Sequence, residues 1–132
     1  MGIVSAFRAQ FACACLLIVL VALPLRAEPI DDYNTALKLY EQKRWEAAAK
    51  GFAGFVKAAP QHPKSPLAQL YQGQALTHAQ KYSESRVVFR EFLKSHADHP
   101  DAPLAAYRIG ESSYFLSEYP AAAAELGEFV TK

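Results

Sequence analysis

The sequence has only two cysteines, Cys13 and Cys15, and both lie in its first apolar stretch. The chain from residue 28 onwards therefore has no thiol that forms a disulfide, ligates a metal or attacks a substrate. It also has no Gly-rich phosphate loop, no nucleophile elbow and no metalloprotease motif. We therefore predict a protein that is not an enzyme, with no catalytic residue, no metal site and no cofactor.

Neither sign of charge dominates the composition. The sequence has 14 Lys and Arg against 13 Asp and Glu, and setting aside Arg8 and Arg26 near the N-terminus lowers the basic count to 12. A protein that binds a polyanion needs clustered Lys and Arg, which release counterions on binding. No such cluster occurs, so nucleic acid is not an expected partner. Without a catalytic motif, a small-molecule substrate is not expected either.

The segment 1–27 differs from the rest of the chain. It has no acidic residue, carries Arg8 early, continues as the apolar run 11–25, and ends on the small residue Ala27. A charged start, an apolar middle and a small-residue exit are typical of a secretory signal peptide. We therefore predict cleavage after Ala27 and a mature protein that is periplasmic or secreted.

A retained membrane anchor and a lipid anchor are the two other fates of such a segment. The apolar run is short for a membrane span, which needs ~20 apolar residues, and Pro24 interrupts it. An uncleaved N-terminal anchor is the alternative to cleavage, and it is the one route by which the chain would contact a membrane. Lipoproteins carry their acylated cysteine at the end of the apolar run, whereas Cys15 lies near its start. A lipid anchor is therefore not expected.

One spacing recurs through the remainder of the chain. Trp45, Tyr82 and Tyr119 lie 37 residues apart. The same offset links small residues, large apolar residues and a loop motif: Ala36, Gly73 and Gly110; Phe52, Phe89 and Leu126; Phe55, Phe92 and Phe129; Val56, Leu93 and Val130; His62-Pro63 and His99-Pro100. A fixed period of this length indicates a repeat architecture.

Each repeat is predicted to contain two helices, because its apolar residues recur every three to four positions and prolines such as Pro60, Pro63 and Pro66 separate these stretches. A mid-helix Gly costs about 1 kcal/mol relative to Ala, so the small residue of each unit implies a close helix contact. We expect short breaks such as Arg44-Trp45. The predicted helices are 30–43, 46–59, 67–80, 83–96, 104–117 and 120–131, in units of about 30–66, 67–103 and 104–132.

The order of a small residue, a turn aromatic, a second small residue (Ala48, Ser85 or Ala122) and a large apolar residue resembles the tetratricopeptide repeat. The resemblance spans about 30–132 and implies an all-α, right-handed superhelix of about three helix-turn-helix units. The usual unit has about 34 residues, so the period of 37 implies a longer, Pro-rich loop between units.

This variant, with Phe55 and Phe92 and a His-Pro loop, is similar to repeats of bacterial envelope proteins. The relevant types are the periplasmic Tol-Pal-associated cell-division coordinator and the lipoprotein scaffold of outer-membrane assembly. The resemblance implies a non-catalytic scaffold or adaptor that binds other envelope proteins. The alternative is a docking arm of a larger envelope enzyme or machine whose active domain lies beyond residue 132.

In such arrays the first helices of successive units line a groove that receives partner segments. Tyr33, Leu70 and Tyr107 are the groove positions that we expect to belong to the core between units. Tyr114 and Phe115 are the strongest candidates for partner contact, since two adjacent rings cannot both face one core. By repeat position, the resemblance implies partner contacts at Tyr40, Gln74, Thr77, His78, Glu111, Tyr114 and Phe115.

The segment 96–101 contains two histidines and two aspartates, a set that can hold zinc or copper. However, His99 repeats His62 at the structural period, and Asp and Pro are common in connections between helices. We therefore interpret the segment as a loop between helices.

The last predicted helix places Leu126, Phe129 and Val130 at positions that are core in the earlier units. Terminal units of solenoids normally end on a polar capping helix. We therefore expect an array that lacks its proper C-terminal end.

Overall fold

The computed structural model describes residues 28–131, so the predicted signal peptide lies outside the described part. Within this range the chain is all-helical, as predicted, with three helical pairs and no strand. None of these helices is both long enough and apolar enough to cross a membrane. The helices are α1 (Pro29–Glu41), α2 (Trp45–Ala58), α3 (Ser65–His78), α4 (Tyr82–Ser95), α5 (Ala102–Phe115) and α6 (Tyr119–Val130).

We number the pairs α1–α2, α3–α4 and α5–α6 as units 1, 2 and 3, and residues 37 positions apart are equivalent. Each helix packs against the next one along the chain. Three-residue connections join the helices within a unit, and six-residue loops join the units.

The helices begin and end one or two residues earlier than predicted. The first helices already include Pro29, Pro66 and Pro103, because proline needs no hydrogen-bond partner in a first turn. The break in unit 1 is 42–44 rather than Arg44-Trp45, and Trp45 is the first residue of α2.

The early ends of the first helices have a common cause. Lys43, Gln80 and Ser117 adopt left-handed backbone conformations, with φ of 59°, 60° and 62°. The amide after each of them donates to a carbonyl five residues earlier, as Arg44 does to Leu39 at 2.9 Å. This bonding is the Schellman motif, which usually places glycine at the left-handed position. Three non-glycine residues here carry that conformation.

The core of residues 28–131 consists of two apolar clusters, one around Phe52 and Phe55 and one around Phe89 and Phe92. Phe52 and Phe55 in unit 1, and Phe89 and Phe92 in unit 2, have no solvent exposure. Tyr33 meets the rings of Phe52 and Phe55 edge-on, with centroids 5.7 and 5.4 Å away. Edge-to-face aromatic pairs of this kind stabilise a core beyond their buried area.

Close helix contacts explain the recurring small residues. A Cβ on Gly73 would lie 2.6 Å from Cζ of Phe89, and a Cβ on Gly110 would lie 2.7 Å from Cγ of Leu126. Unit 1 reverses the arrangement, since a Cβ on Gly51 of α2 would lie 2.8 Å from the Cβ of Ala36. The prediction of a close helix contact at these positions is confirmed, and in unit 1 the glycine is on the second helix.

The His-Pro loops between units are built alike. The ring of His62 lies against Phe55, with centroids 5.2 Å apart, and its Nδ1 accepts the backbone N–H of Lys64 at 3.1 Å. His99 repeats both contacts with Phe92 (5.3 Å) and the N–H of Asp101 (3.1 Å). Each histidine therefore covers a core phenylalanine and fixes its loop.

Candidate partner-binding surface

Tyr40, near the end of α1, links units 1 and 2. Its ring lies 5.1 Å from that of Trp45 and 5.2 Å from that of Tyr71, and its hydroxyl donates to Oε1 of Gln74 at 3.1 Å. Burial, and then the neighbouring phenol of Tyr71, raise the pKa of Tyr40. The hydroxyl therefore stays a hydrogen-bond donor at neutral pH, and two predicted partner-contact residues bond to each other.

Two stacked ring pairs lie where successive units meet. His78, the last residue of α3, stacks on Trp45 with centroids 4.4 Å apart and planes at 23°. Phe115, the last residue of α5, stacks in the same way on Tyr82, at 4.7 Å and 15°. We call Trp45–His78 and Tyr82–Phe115 the stacked turn pairs. In each, a ring at the turn of one unit supports a ring from the next.

Thr77 uses its hydroxyl within the protein. Its Oγ1 donates to the carbonyl of Gly73 at 3.1 Å and lies 2.7 Å from Oγ of Ser85, which also bonds that carbonyl. These bonds connect α3 to α4. The hydroxyl of Thr77 is thus already engaged on the inner side of the predicted surface.

Glu111 forms an ion pair with Arg108 one turn earlier, with 2.6 Å between Oε2 and Nη1. The guanidinium also lies over the ring of Tyr107, 5.8 Å from its centroid. Nε of Arg108 is buried and lacks a hydrogen-bond partner among residues 28–131. The surface therefore has a charged pair whose cation keeps one unused donor.

Tyr114 and Phe115 differ in why they are exposed. Their exposed fractions are 56% and 50%, and their rings meet at 75°. Tyr40, which is equivalent to Tyr114, is partly covered by Tyr71 of the next unit. His78, which is equivalent to Phe115, stays exposed although units lie on both sides of it. Phe115 is thus exposed at a position that stays exposed even between two units. Tyr114 is exposed because no described unit follows the one in which it lies.

The exposure of the three expected core positions also depends on whether another unit packs beyond them. Tyr33 is 3% exposed and Leu70 is 2% exposed, as a core role requires. Tyr107 is 38% exposed, so the core prediction fails there in the structure as described. The physical reason is that no helix of residues 28–131 packs beyond unit 3.

Two residues of the surface are not predicted from the sequence. Tyr71 of α3 stacks on Phe52 of α2, with centroids 5.4 Å apart, and also lies 5.2 Å from the ring of Tyr40 in α1. The equivalents of Tyr71 are Asn34 and Arg108, so the side chains at this repeat position share no chemical character that the period could reveal. Arg108 itself was missed for the same reason.

Between residues 28 and 131, no three His, Cys, Asp or Glu side chains come together as metal ligands would. The histidines of the segment 96–101 instead contact Phe92, at 5.2 Å for His96 and 5.3 Å for His99. The interpretation of this segment as a loop between helices agrees with its structure.

Comparison with known sequences supports the repeat class. Residues 67–99, which include most of α3 and all of α4, match the tetratricopeptide repeat family. No curated protein matches the chain. The three helical pairs and this match are consistent with a helical array of tetratricopeptide-type repeats.

Proposed function

We propose that this tetratricopeptide-repeat chain is a non-catalytic scaffold that binds segments of other proteins along the face bearing the stacked turn pairs. Repeat arrays of this class generally bind proteins through surface displayed by successive units. The observation that supports the proposal is the half-exposed ring of Phe115, held flat against Tyr82. A ring fixed before binding loses little conformational entropy when a partner covers it.

Polar groups beside the rings supply selectivity. Within residues 28–131 the amide nitrogen of Gln74 donates no hydrogen bond, while its Oε1 accepts from Tyr40. Glu111, which precedes Phe115 by one turn of α5, and its ion-pair partner Arg108 add one charge of each sign. Aromatic anchors beside a few polar groups are the usual composition of binding hot spots. The preferred partner segment is therefore apolar, with polar groups at intervals.

We test the surface with a photo-crosslinking amino acid at Phe115, using Val87 as the matched control. Val87 is 58% exposed on α4 and lies outside the stacked turn pairs. We expect crosslinks to a defined protein from position 115 and none above background from 87. The variant Phe115→Ala should lower capture of that protein while Val87→Ala should not. Equal crosslinking from both positions would reject the surface.

We also propose that the scaffold works in the cell envelope, as a periplasmic or secreted protein. The proposal is supported by the signal-like composition of the segment 1–27. Mass spectrometry of protein expressed with its own leader should find an N-terminus at Glu28 in the exported fraction. Intact Met1 on membrane-bound protein would instead indicate a retained anchor, and recovery only from the cytoplasm would reject export.

A further inference from the structure

A cleft of ≈ 810 Å³ lies where the loop between units 2 and 3 meets the two helices of unit 3. Its lining includes Leu93, Asp98, Ala106, Ile109, Glu128 and Phe129. We call this space the acidic cleft. A helix rises about 1.5 Å per residue, so Ala102 in the lining and Phe115 at the far end of α5 are ~20 Å apart. The cleft is therefore separate from the stacked turn pairs.

The apolar lining of the acidic cleft departs from the repeat. Ala106 and Ile109 of α5 are equivalent to Gln69 and Gln72 of α3. Ile109 reaches the buried cluster of Phe92 and also borders the cleft. Since α3 has polar side chains at both positions, the packing that the units share does not require apolar residues there. The apolar lining is therefore a property of this site in unit 3 and not of the repeat.

Phe129 of α6 adds an aromatic ring that is both accessible and supported. It is 37% exposed, and its ring centroid lies 5.8 Å from that of Tyr107, with the planes at 57°. The guanidinium of Arg108 in turn lies over the ring of Tyr107. A ring held by its neighbours loses little conformational entropy when a ligand covers it. The lining thus offers a preformed apolar contact.

The free charges of the cleft are negative. Asp98 lies in the loop between α4 and α5, and Glu128 lies on α6. Among residues 28–131, neither carboxylate pairs with a Lys or Arg, and no Lys or Arg lines the cleft. The equivalent of Asp98 in the preceding loop is the uncharged Gln61. The cleft therefore favours a cation beside its apolar lining.

The two other ionisable residues of the lining are already engaged. Glu125 accepts from Arg90 at 2.7 Å and from Ser113 at 2.6 Å, one bond to each carboxylate oxygen. His99 uses its Nδ1 to accept the backbone N–H of Asp101 at 3.1 Å. The charges left for a ligand are thus those of the two carboxylates on the loop and on α6.

We propose that the acidic cleft binds a protein segment in which a large apolar side chain is flanked by lysine or arginine. The apolar side chain packs against Ile109 and Phe129, and the basic groups face Asp98 and Glu128. One segment can do both, because the two carboxylates lie on different elements that border the same apolar surface. Apolar burial supplies affinity and charge supplies selection. This binding does not depend on capture of a partner at Phe115.

The test titrates the full chain into a fluorescent, end-blocked peptide, Gly-Lys-Leu-Phe-Lys-Gly. A matched peptide has glutamate in place of both lysines. We expect saturable binding of the first peptide and binding weaker by roughly fivefold or more for the second, since its charges are repelled. Raising the salt concentration should narrow this difference, because salt screens exposed charges.

Variants of the chain test the cleft itself. Asp98→Asn combined with Glu128→Gln should weaken the lysine peptide roughly fivefold and leave the glutamate peptide no weaker, since only the attraction is removed. Glu91→Gln is the matched control, because Glu91 is the exposed equivalent of Glu128 on α4 and lies outside the lining. Ala106→Lys should abolish binding of the lysine peptide with little change in melting, since Gln69 shows that the position accepts a long polar side chain.

NMR of the labelled chain locates the bound peptide, and we expect the largest shift changes at Ile109 and Phe129. Equal affinity for the two peptides, or full affinity in the Asp98→Asn and Glu128→Gln variant, would overturn the proposal, as would absence of binding. Shift changes centred on Phe115 and lost in Phe115→Ala would overturn it by assigning the peptide to the stacked turn pairs. A chain that sediments as a dimer with Phe129 protected would overturn it by assigning the cleft to a second copy.

Discussion

The contact between units 1 and 2 differs in chemistry from the contact between units 2 and 3. The first is apolar and aromatic: Tyr40 and Phe52 pack against Tyr71, with ring centroids 5.2 and 5.4 Å apart. In the second, the guanidinium of Arg86 bonds Ser113 at 3.0 Å and forms an ion pair with Glu118. Both contacts have an apolar core, and the contact between units 2 and 3 adds these ionic groups beside the buried cluster of Phe92, Ala105 and Ile109.

The ionic contact extends along α4. Arg90 donates to Glu125 at 2.7 Å, and the other oxygen of that carboxylate accepts from Ser113 at 2.6 Å. Exposed ion pairs contribute little individually, typically below about 1 kcal/mol, and salt screens them. We therefore expect the contact of unit 3 to respond to pH and salt through its ion pairs, whereas the contact of unit 1 should respond mainly to changes of side-chain volume.

The largest expected effect comes from truncating the buried rings. Phe52→Ala and Phe89→Ala should each lower the free energy of unfolding by ~3–5 kcal/mol, because both side chains are fully buried. Phe52 should cost more, since it also contacts the rings of Tyr33 and Tyr71. Urea titrations of both variants give the comparison. A larger loss for Phe89→Ala would reverse the order of the two contacts.

The next effect tests the close helix contacts. Gly73→Ala places a Cβ 2.6 Å from the ring of Phe89, which is fully buried and cannot move aside. We expect a loss of about 1–3 kcal/mol from overpacking, partly offset by the higher helix propensity of Ala. Gly110→Ala meets the partly exposed Leu126 and should cost less. Thermal melts of the two variants check this order; equal melting temperatures would contradict it.

A smaller, stabilising effect is expected at the left-handed turn residues. Gln80→Gly removes a Cβ from a residue with φ of 60° and should raise the free energy of unfolding by up to about 1 kcal/mol. Lys43→Gly and Ser117→Gly are the matched changes in units 1 and 3. Similar gains at all three would show that the turns are independent of the chemistry of the contacts. Chemical denaturation measures each gain, and a loss at any one would point to a side-chain contact there.

The smallest effect is a change in pH dependence. A hydrogen bond from Arg86, supported by the charges of Arg86 and Arg90, lowers the pKa of Glu118. A carboxyl group whose folded pKa is lowered stabilises the fold at pH above its ordinary pKa, and this contribution disappears as pH falls through the folded value. Glu118→Gln should therefore lower the melting temperature slightly at pH 7 and leave it unchanged at about pH 2, with a smaller difference in high salt. Glu84→Gln, on an exposed residue that lies 3.9 Å from Lys81, is the control. A pH-independent difference would reject the role of the ion pair.

Much of the fold follows from the sequence, because residues that recur every 37 positions meet the same local packing need in each unit. Small residues are needed where helices touch, as the contact of Gly73 with Phe89 shows. His62 and His99 recur because each loop must cover a phenylalanine. The first helix of each unit ends two residues earlier than predicted, since a left-handed residue such as Gln80 cannot be recognised in the sequence when it is not glycine.

The tertiary structure alone decided how equivalent residues differ. The sequence assigns Phe92 and Phe129 the same position, yet one is fully buried and the other is 37% exposed. It likewise does not reveal that Phe115 rests on Tyr82 or that Arg86 reaches Glu118. Helical periodicity depends on neighbours a few residues away in the chain, so the sequence determined the helices and their inward faces. Exposure, ring stacking and ion pairing depend on which unit packs on which, and only the assembled array decides that.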